Sequence, residues 1–191
     1  MLGRQAKIVS PATLRRMIAY ARRTRQPKRD TVIILLSVKA GLRACEIAGL
    51  QWSMTMTDDG KMSDVIDIRD TIAKRGSGRR IPMHPDLQRA LAALWRVRTS
   101  DRYIAASNRG GPMRANSIVN WFVALFKELG FEGCSSHSGR RSFITVAARN
   151  VHRSGCSLRD VQLLAGHRSI ETTERYIDGD TCAQRKLVSY V

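Results

Sequence analysis

Residues 164–177 read LAGHRSIETTERYI and hold a histidine and a tyrosine nine positions apart, around a turn rich in hydroxyl side chains. Gly166 closes the helix that ends at Ala165, His167 follows this stop, and Ser169 is placed to cap the next helix. Tyr176 then lies about two turns into that helix. Two explanations fit the stretch alone. It is either a capped helix pair with one face buried, or a site in which Tyr176 is a nucleophile assisted by His167.

Working back from it, Ser157 to Ala165 reads as a helix with Asp160 as the capping-box partner. His137 starts another helix that runs to Asn150. Asn116 to Leu129 has Ile118, Phe122, Leu125 and Leu129 at helical spacing, with Gly130 at the C′ position. Pro85 opens a helix with Leu87, Leu91 and Leu94 on one face. Ser10-Pro11 has the form of an N-cap and N1 proline ahead of Leu14, Met17, Ile18 and Ala21. The basic run from Arg22 to Arg29 breaks that helix. An apolar segment, Val32 to Val38, then leads into KAGLRACEIAGLQW, residues 39–52, where Gly41 and Gly49 bracket a short helix carrying Arg43 and Glu46.

Residues 64–83, DVIDIRDTIAKRGSGRRIPM, change the period: β-branched residues flank Gly76-Ser77-Gly78, which predicts strands with a hairpin between Lys74 and Arg79. RYIAASNRGGPMR, residues 102–114, reads as an extended piece and a loop. The expected fold is therefore mainly α (α+β): a helical domain with one small antiparallel sheet. Residues 182–191 form a weakly amphipathic tail ending in Leu187, Val188, Tyr190 and Val191.

The 191 residues carry 33 Lys and Arg against 16 Asp and Glu, a formal charge of +17. Such an excess is the electrostatic footprint of a polyanion binder. No apolar run is long enough to span a bilayer, and the N-terminus lacks the apolar core of a secretory signal. Nucleic acid is thus the leading partner, and the cytoplasm the expected location. Cys45, Cys134, Cys156 and Cys182 form no close pair, and the four histidines form no HExxH-type cluster. Free thiols and no structural metal are expected.

Several polar groups sit where structure alone would not demand them. Arg43 interrupts an apolar stretch, and Glu46, three residues on, can hold its guanidinium. His137 and Arg140 are again three apart at a helix start, where free N–H groups favour an anion. Lys74 stands at the mouth of a glycine-rich hairpin. Taken singly, each has an ordinary explanation: an ion pair, a helix-start pair, a solvated lysine, a C-capping histidine, a half-buried tyrosine.

In order and in company they resemble the tyrosine recombinase (phage integrase) family. AGLRACEIAGLQW resembles its first-arginine box, AKRGSGRRIPM its hairpin lysine followed by Pro82, HSGRRSFIT its HxxR box, and LAGHRSIETTERYI its histidine-to-tyrosine box. The resemblance covers about residues 10–180. It departs from the usual pattern at Ala40, where threonine is more common, and at Gly139, where a larger residue is. It implies the catalytic domain alone, over residues 1–181 with a small three-stranded antiparallel sheet, without the helical DNA-binding domain that members usually carry ahead of it.

The resemblance also implies a set of roles. Tyr176 attacks the scissile phosphorus of double-stranded DNA, forming a 3′-phosphotyrosyl link and freeing a 5′-hydroxyl. Arg43 and Arg140 clamp the non-bridging oxygens, Lys74 protonates the leaving oxygen, and His137 assists proton transfer. His167 hydrogen-bonds the phosphate, and Glu46 supports Arg43. No cofactor is implied. A homo-tetramer assembled on DNA, linked by C-terminal tails exchanged between protomers, and accessory DNA-binding factors are the implied partners, in a prokaryotic, nucleoid-associated setting. Arg75, Arg79, Arg80, Arg141 and Arg168, with Arg22, Arg23, Arg25 and Lys28, are candidates for contacts to the DNA backbone. Two other functions fit the same residues: a nicking enzyme like the type IB topoisomerases, and a DNA-binding regulator of recombination.

Overall fold

A computed structural model describes residues 6–74, 76–176 and 188–189. The chain divides into two compact units, Met1–Phe143 and Ile144–Val191.

The first unit is built on α2, Pro27–Lys39. Its residues Val32 to Ser37 are all buried, so the helix is enclosed by its neighbours rather than lying on the surface. Pro27 is its N1 residue. The basic run that was expected only to break the preceding helix therefore ends as the first turn of a new one, where proline's missing N–H is no loss. Ahead of it, α1 (Pro11–Ala21) starts as expected, with Ser10 Oγ accepting the Thr13 N–H at 3.1 Å. The short α3 (Ala44–Gly49) and α4 (Pro85–Trp95) also pack on α2, and α3 packs in turn on α5 (Ala115–Glu128). Leu87, Leu91 and Leu94 of α4 and Ile118, Phe122 and Leu125 of α5 are buried, as their spacing predicts.

The sheet differs from expectation. Among the described residues it has two strands, not three: β1 (Val65–Ile68) pairs antiparallel with β2 (Arg79–Pro82), with Val65 opposite Pro82 and Ile68 opposite Arg79. The connection occupies residues 69–78, so Lys74 sits in the middle of a long loop rather than at the mouth of a tight hairpin. The neighbouring extended segment at residues 103–106 contributes isolated bridges only, Gln51 with Tyr103 and Ala106 with Pro112. Its backbone is too irregular for a continuous ladder.

Helix α6 (Ser138–Arg149) begins in the first unit. The second unit continues with α7 (Val151–Ser154), a short turn that periodicity did not predict, and then α8 (Leu158–Ala165) and α9 (Ile170–Glu174), which pack together. Asp160 closes the α8 capping box, accepting from the Ser157 N–H and Oγ–H at 2.8 Å each. Among the described residues no helix is long and apolar enough to cross a membrane. Of the tail, Val188 and Ser189 are described and exposed. The rest of the expected segment, including Cys182, lies outside the described residues.

Candidate active site

Four of the six candidate catalytic residues belong to the first unit. Arg43 is not inside a helix but caps one: it is the N-cap of α3, and Glu46 is the N3 residue. The chain reaches that cap through Gly41, whose φ of +64° suits glycine. A side chain at Gly41 would also meet the Phe143 ring, 2.5 Å from the Cβ position. The Gly41 carbonyl accepts a hydrogen bond from Arg140 Nη1 at 2.7 Å, with Arg140 only 5% exposed. One turn thus orients both arginines.

Glu46 is fully buried. Its Oε1 accepts from Arg43 Nη1 at 2.8 Å and its Oε2 from the Arg43 N–H at 2.9 Å. Arg79 adds a two-pronged contact, Nη1 to Oε1 and Nη2 to Oε2 at 3.0 Å each. Burial pushes the Glu46 carboxyl up, but the hydrogen bonds and charges of Arg79 and Arg43 outweigh it and hold the group below its usual range. A buried carboxylate held by two guanidiniums is a stiff mount, since charges taken from water persist only when paired.

Arg79, a candidate for a DNA-backbone contact, has a side chain only 6% exposed and joined to Glu46. The signal was available in the period of β2: Arg79 lies two residues from buried Ile81 on the same strand face, and exposed Arg80 lies on the other.

His137 immediately precedes α6, as expected. His137 is exposed; partial desolvation of its ring, and then the charges of Arg140, Lys74 and Arg43, hold its pKa below the usual histidine value. Three separate candidate cations therefore act on one imidazole, and the ring is neutral at neutral pH. Lys74 itself is exposed. Gly139, the departure from the usual motif, has a structural reason: a Cβ there would lie 2.9 Å from the buried Ser37 Cβ, so α6 approaches α2 closely at this point.

The second unit holds His167 and Tyr176. Gly166 caps α8 in the left-handed conformation, φ 61°. The His167 N–H then bonds the Gln162 carbonyl at 3.1 Å, and Gln162 Nε2 donates to the His167 carbonyl at 3.0 Å. His167 Nδ1 lies 2.9 Å from Oγ1 of Thr173, a fully buried side chain on α9 that sequence reading passed over. The His167 and Tyr176 rings stack with centroids 5.5 Å apart and planes 25° from parallel. The Tyr176 N–H bonds the Thr173 carbonyl at 3.0 Å. The two side chains of the opening stretch do meet, so the helix-pair and active-site explanations of it are not alternatives.

Of the remaining basic candidates, Arg80, Arg168, Arg22, Arg23, Arg25 and Lys28 are exposed. Arg141 is half-buried, with Nη1 on the Ala6 carbonyl at 3.2 Å. Arg75 lies outside the described residues.

These boxes, in this order, match the phage integrase family over residues 7–181. The chain belongs to that family. It is 30% identical over 168 residues to tyrosine recombinase XerC of Brucella melitensis, covering 85% of this chain and 49% of that protein. It is 30% identical over 170 residues to a putative integrase/recombinase of Sinorhizobium fredii, covering 83% and 38%. The chain thus spans about half the length or less of these curated relatives. Among solved structures, XerA recombinase has a TM-score of 0.73 at 22% identity, over 100% of this chain and 65% of that one. The Tn1549 transposon integrase in complex with transposon right end DNA reaches 0.79 at 19%, over 99% and 67%. The fold is that of the recombinase catalytic region, mainly helical with a small antiparallel sheet.

Proposed function

We propose that this integrase-family chain cleaves and rejoins double-stranded DNA as a site-specific recombinase, through a 3′-phosphotyrosyl intermediate. The observation that carries this reading is that one turn holds two guanidiniums: Arg140 bonds the Gly41 carbonyl, and Arg43 is fixed by Glu46, a carboxylate already saturated by guanidiniums. Such a group has net positive charge to offer a phosphate. The DNA complexes among its structural neighbours agree with that partner.

In the reaction Tyr176 Oη bonds to phosphorus as the P–O5′ bond breaks. The phenolic proton leaves by way of His137, and the Lys74 ammonium gives its proton to O5′. Rejoining reverses each transfer when a DNA 5′-hydroxyl attacks. The bond energy is retained because the phosphate stays esterified throughout. Phosphoryl transfer asks the protein mainly for positioning and charge, which Arg43 and Arg140 supply as planar, permanently charged forks. On that account no divalent metal is required. His167 donates to the same phosphate. Assembly as a tetramer on DNA, with tails exchanged between protomers and accessory DNA-binding factors, belongs to this reading, as does action at the bacterial nucleoid.

The test is a duplex nicked beside the cleavage site, which traps the covalent intermediate. The protein should form a denaturation-resistant adduct with it, at the same rate with or without EDTA. Binding without an adduct would favour the regulator. An adduct followed by relaxation, without exchange between two sites, would favour the topoisomerase-like enzyme. Inhibition by EDTA would show that the arginines do not suffice.

A further inference from the structure

The loop that carries Lys74 looks, by composition, like a flexible arm: residues 69–78 include Gly76 and Gly78, and Lys74 is exposed. Its hydrogen bonds describe something more ordered. Asp70, at the start of the loop, accepts the Gly78 N–H on Oδ1 at 2.7 Å, closing the loop eight residues later. Within this clasp, the N–H groups of Ile72 and Ala73 both bond the Arg69 carbonyl at 3.1 Å. Ser77 Oγ donates to the carbonyl of Lys74 itself at 2.9 Å. The floor is equally well defined. Ala73 is 9% exposed, and the Ile72 side chain lies against Gly49, where an added Cβ would be 2.6 Å from Ile72 Cγ2. Gly78 has its own steric reason: a Cβ there would fall 2.7 Å from the Ile68 carbonyl oxygen and 2.8 Å from Asp70 Oδ1. The returning strand is pressed against residues 68–70, and Asp70 fixes it there.

We infer that Asp70 is the positioning residue for Lys74: its carboxylate clasps the loop shut at Gly78 and so holds the ammonium at the reacting phosphate. The inference rests on the reading of Lys74 as the acid that protonates the leaving 5′-oxygen. A general acid works only from hydrogen-bond distance of its target. Opening the clasp frees the backbone at Lys74 to occupy many arrangements, most of which carry its ammonium out of reach. The backbone partner of Asp70 is an N–H, so any side chain with an acceptor oxygen in the same place should serve. Charge as such is not needed, and an acidic group is otherwise a poor choice beside a DNA-binding surface.

The test uses the full chain and the nicked duplex, with either an ordinary phosphate or a 5′-bridging phosphorothiolate at the scissile position. The thiolate leaves without a proton, so a defect confined to acid catalysis disappears on that substrate. Lys74→Ala is the reference: it should lose ~10²–10⁴-fold on ordinary DNA and recover on the phosphorothiolate. Asp70→Ala should lose roughly tenfold on ordinary DNA, a fraction of the full acid contribution, and recover in the same way. Asp70→Asn should behave as wild type on both substrates. Amide exchange at Gly78 should be slow in wild type and Asp70→Asn, and fast in Asp70→Ala. The proposal fails if Asp70→Ala cleaves ordinary DNA at the wild-type rate, or if it is equally slow on both substrates. It fails also if Asp70→Asn is as slow as the alanine variant. Should Lys74→Ala not be rescued, the acid assignment is at fault, and Gly78 exchange still reports whether the clasp exists.

Discussion

The two units hold their candidate groups by different physics. In the first, charge fixes charge: one fully buried carboxylate binds two guanidiniums, and a third arginine bonds the carbonyl of a left-handed glycine. In the second, the α9 helix is only five residues long, too short to be stable alone. What orders it is a glycine cap, the buried Thr173 hydroxyl on His167, and the stacked rings of His167 and Tyr176. The arginine cluster is thus fixed by charged pairs, and the His167–Tyr176 pair by many weak local contacts. On the proposed reading, a phosphate clamp must keep its shape while charge moves through it, whereas the attacking tyrosine has mainly to be placed.

The sharpest way to break this comparison is Tyr176→Phe. The variant removes the attacking oxygen and keeps the ring that stacks on His167. Covalent adduct should fall below detection, while DNA affinity stays within ~2-fold because Lys and Arg provide the phosphate contacts. If the phenylalanine variant still forms adduct at the wild-type level, the nucleophile lies elsewhere.

Glu46→Gln strikes the other unit. The amide keeps the shape but leaves two guanidiniums facing each other across a neutral group. Removing one partner of a buried ion pair costs about 3–5 kcal/mol. Trp52, Trp95 and Trp121 all belong to the first unit, so denaturant unfolding followed by tryptophan fluorescence reads its stability. The pH dependence has a fixed sign. The folded carboxyl lies below its ordinary value of 4.5, so its contribution is complete above that value and is lost as pH falls through the folded pKa. Acid should therefore weaken the wild type more steeply than Glu46→Gln. Parallel acid profiles for the two proteins would show that Glu46 carries no such charge.

What could be read from the sequence follows the same division. Local signals were legible: the caps at Ser10-Pro11 and Ser157-Asp160, and the stop at Gly166. Tyr176, expected about two turns into the last helix, instead lies past the end of α9, which stops at Glu174. Pairings between distant residues were not legible. Arg79 reaches Glu46 across 33 positions, and neither residue's type distinguishes that partner from a DNA phosphate. Pro27 signals a break and a beginning equally well, so α2 was seen only as its apolar middle. The third strand was expected from the family resemblance; strand pairing depends on backbone register, which composition does not encode. Thr173 was visible as one of two adjacent threonines, with nothing to mark which of them faces His167.

His137 offers a smaller and more selective probe of the first unit. Partial desolvation and three cations lower its pKa from the ordinary 6.5, so the folded chain loses stability as pH falls from that value toward the folded pKa. Lys74→Met removes one of the cations and should raise the His137 pKa in a proton NMR titration. Binding a DNA phosphate should raise it further in wild type, because an anion favours the imidazolium. A pKa that does not move with Lys74→Met would mean that the loop does not hold its ammonium near this ring.

The smallest expected effect belongs to Thr173, and it tests whether local hydrogen bonding places the groups of the second unit. Thr173→Val replaces the hydroxyl by a methyl of nearly the same volume, leaving His167 Nδ1 without its 2.9 Å partner. That partner holds the turn of the ring, whichever of the two groups donates. A neutral hydrogen bond is worth about 1 kcal/mol, so adduct formation should slow by about fivefold. Thr173→Ser makes the opposite change, keeping the hydroxyl and deleting a methyl from a fully buried position. It should lower stability by ~1 kcal/mol through the cavity left behind, with little change in cleavage rate. The two variants therefore separate packing from orientation. Were the serine variant the slower of the two at a temperature where both are folded, Thr173 would act through packing rather than through its hydroxyl.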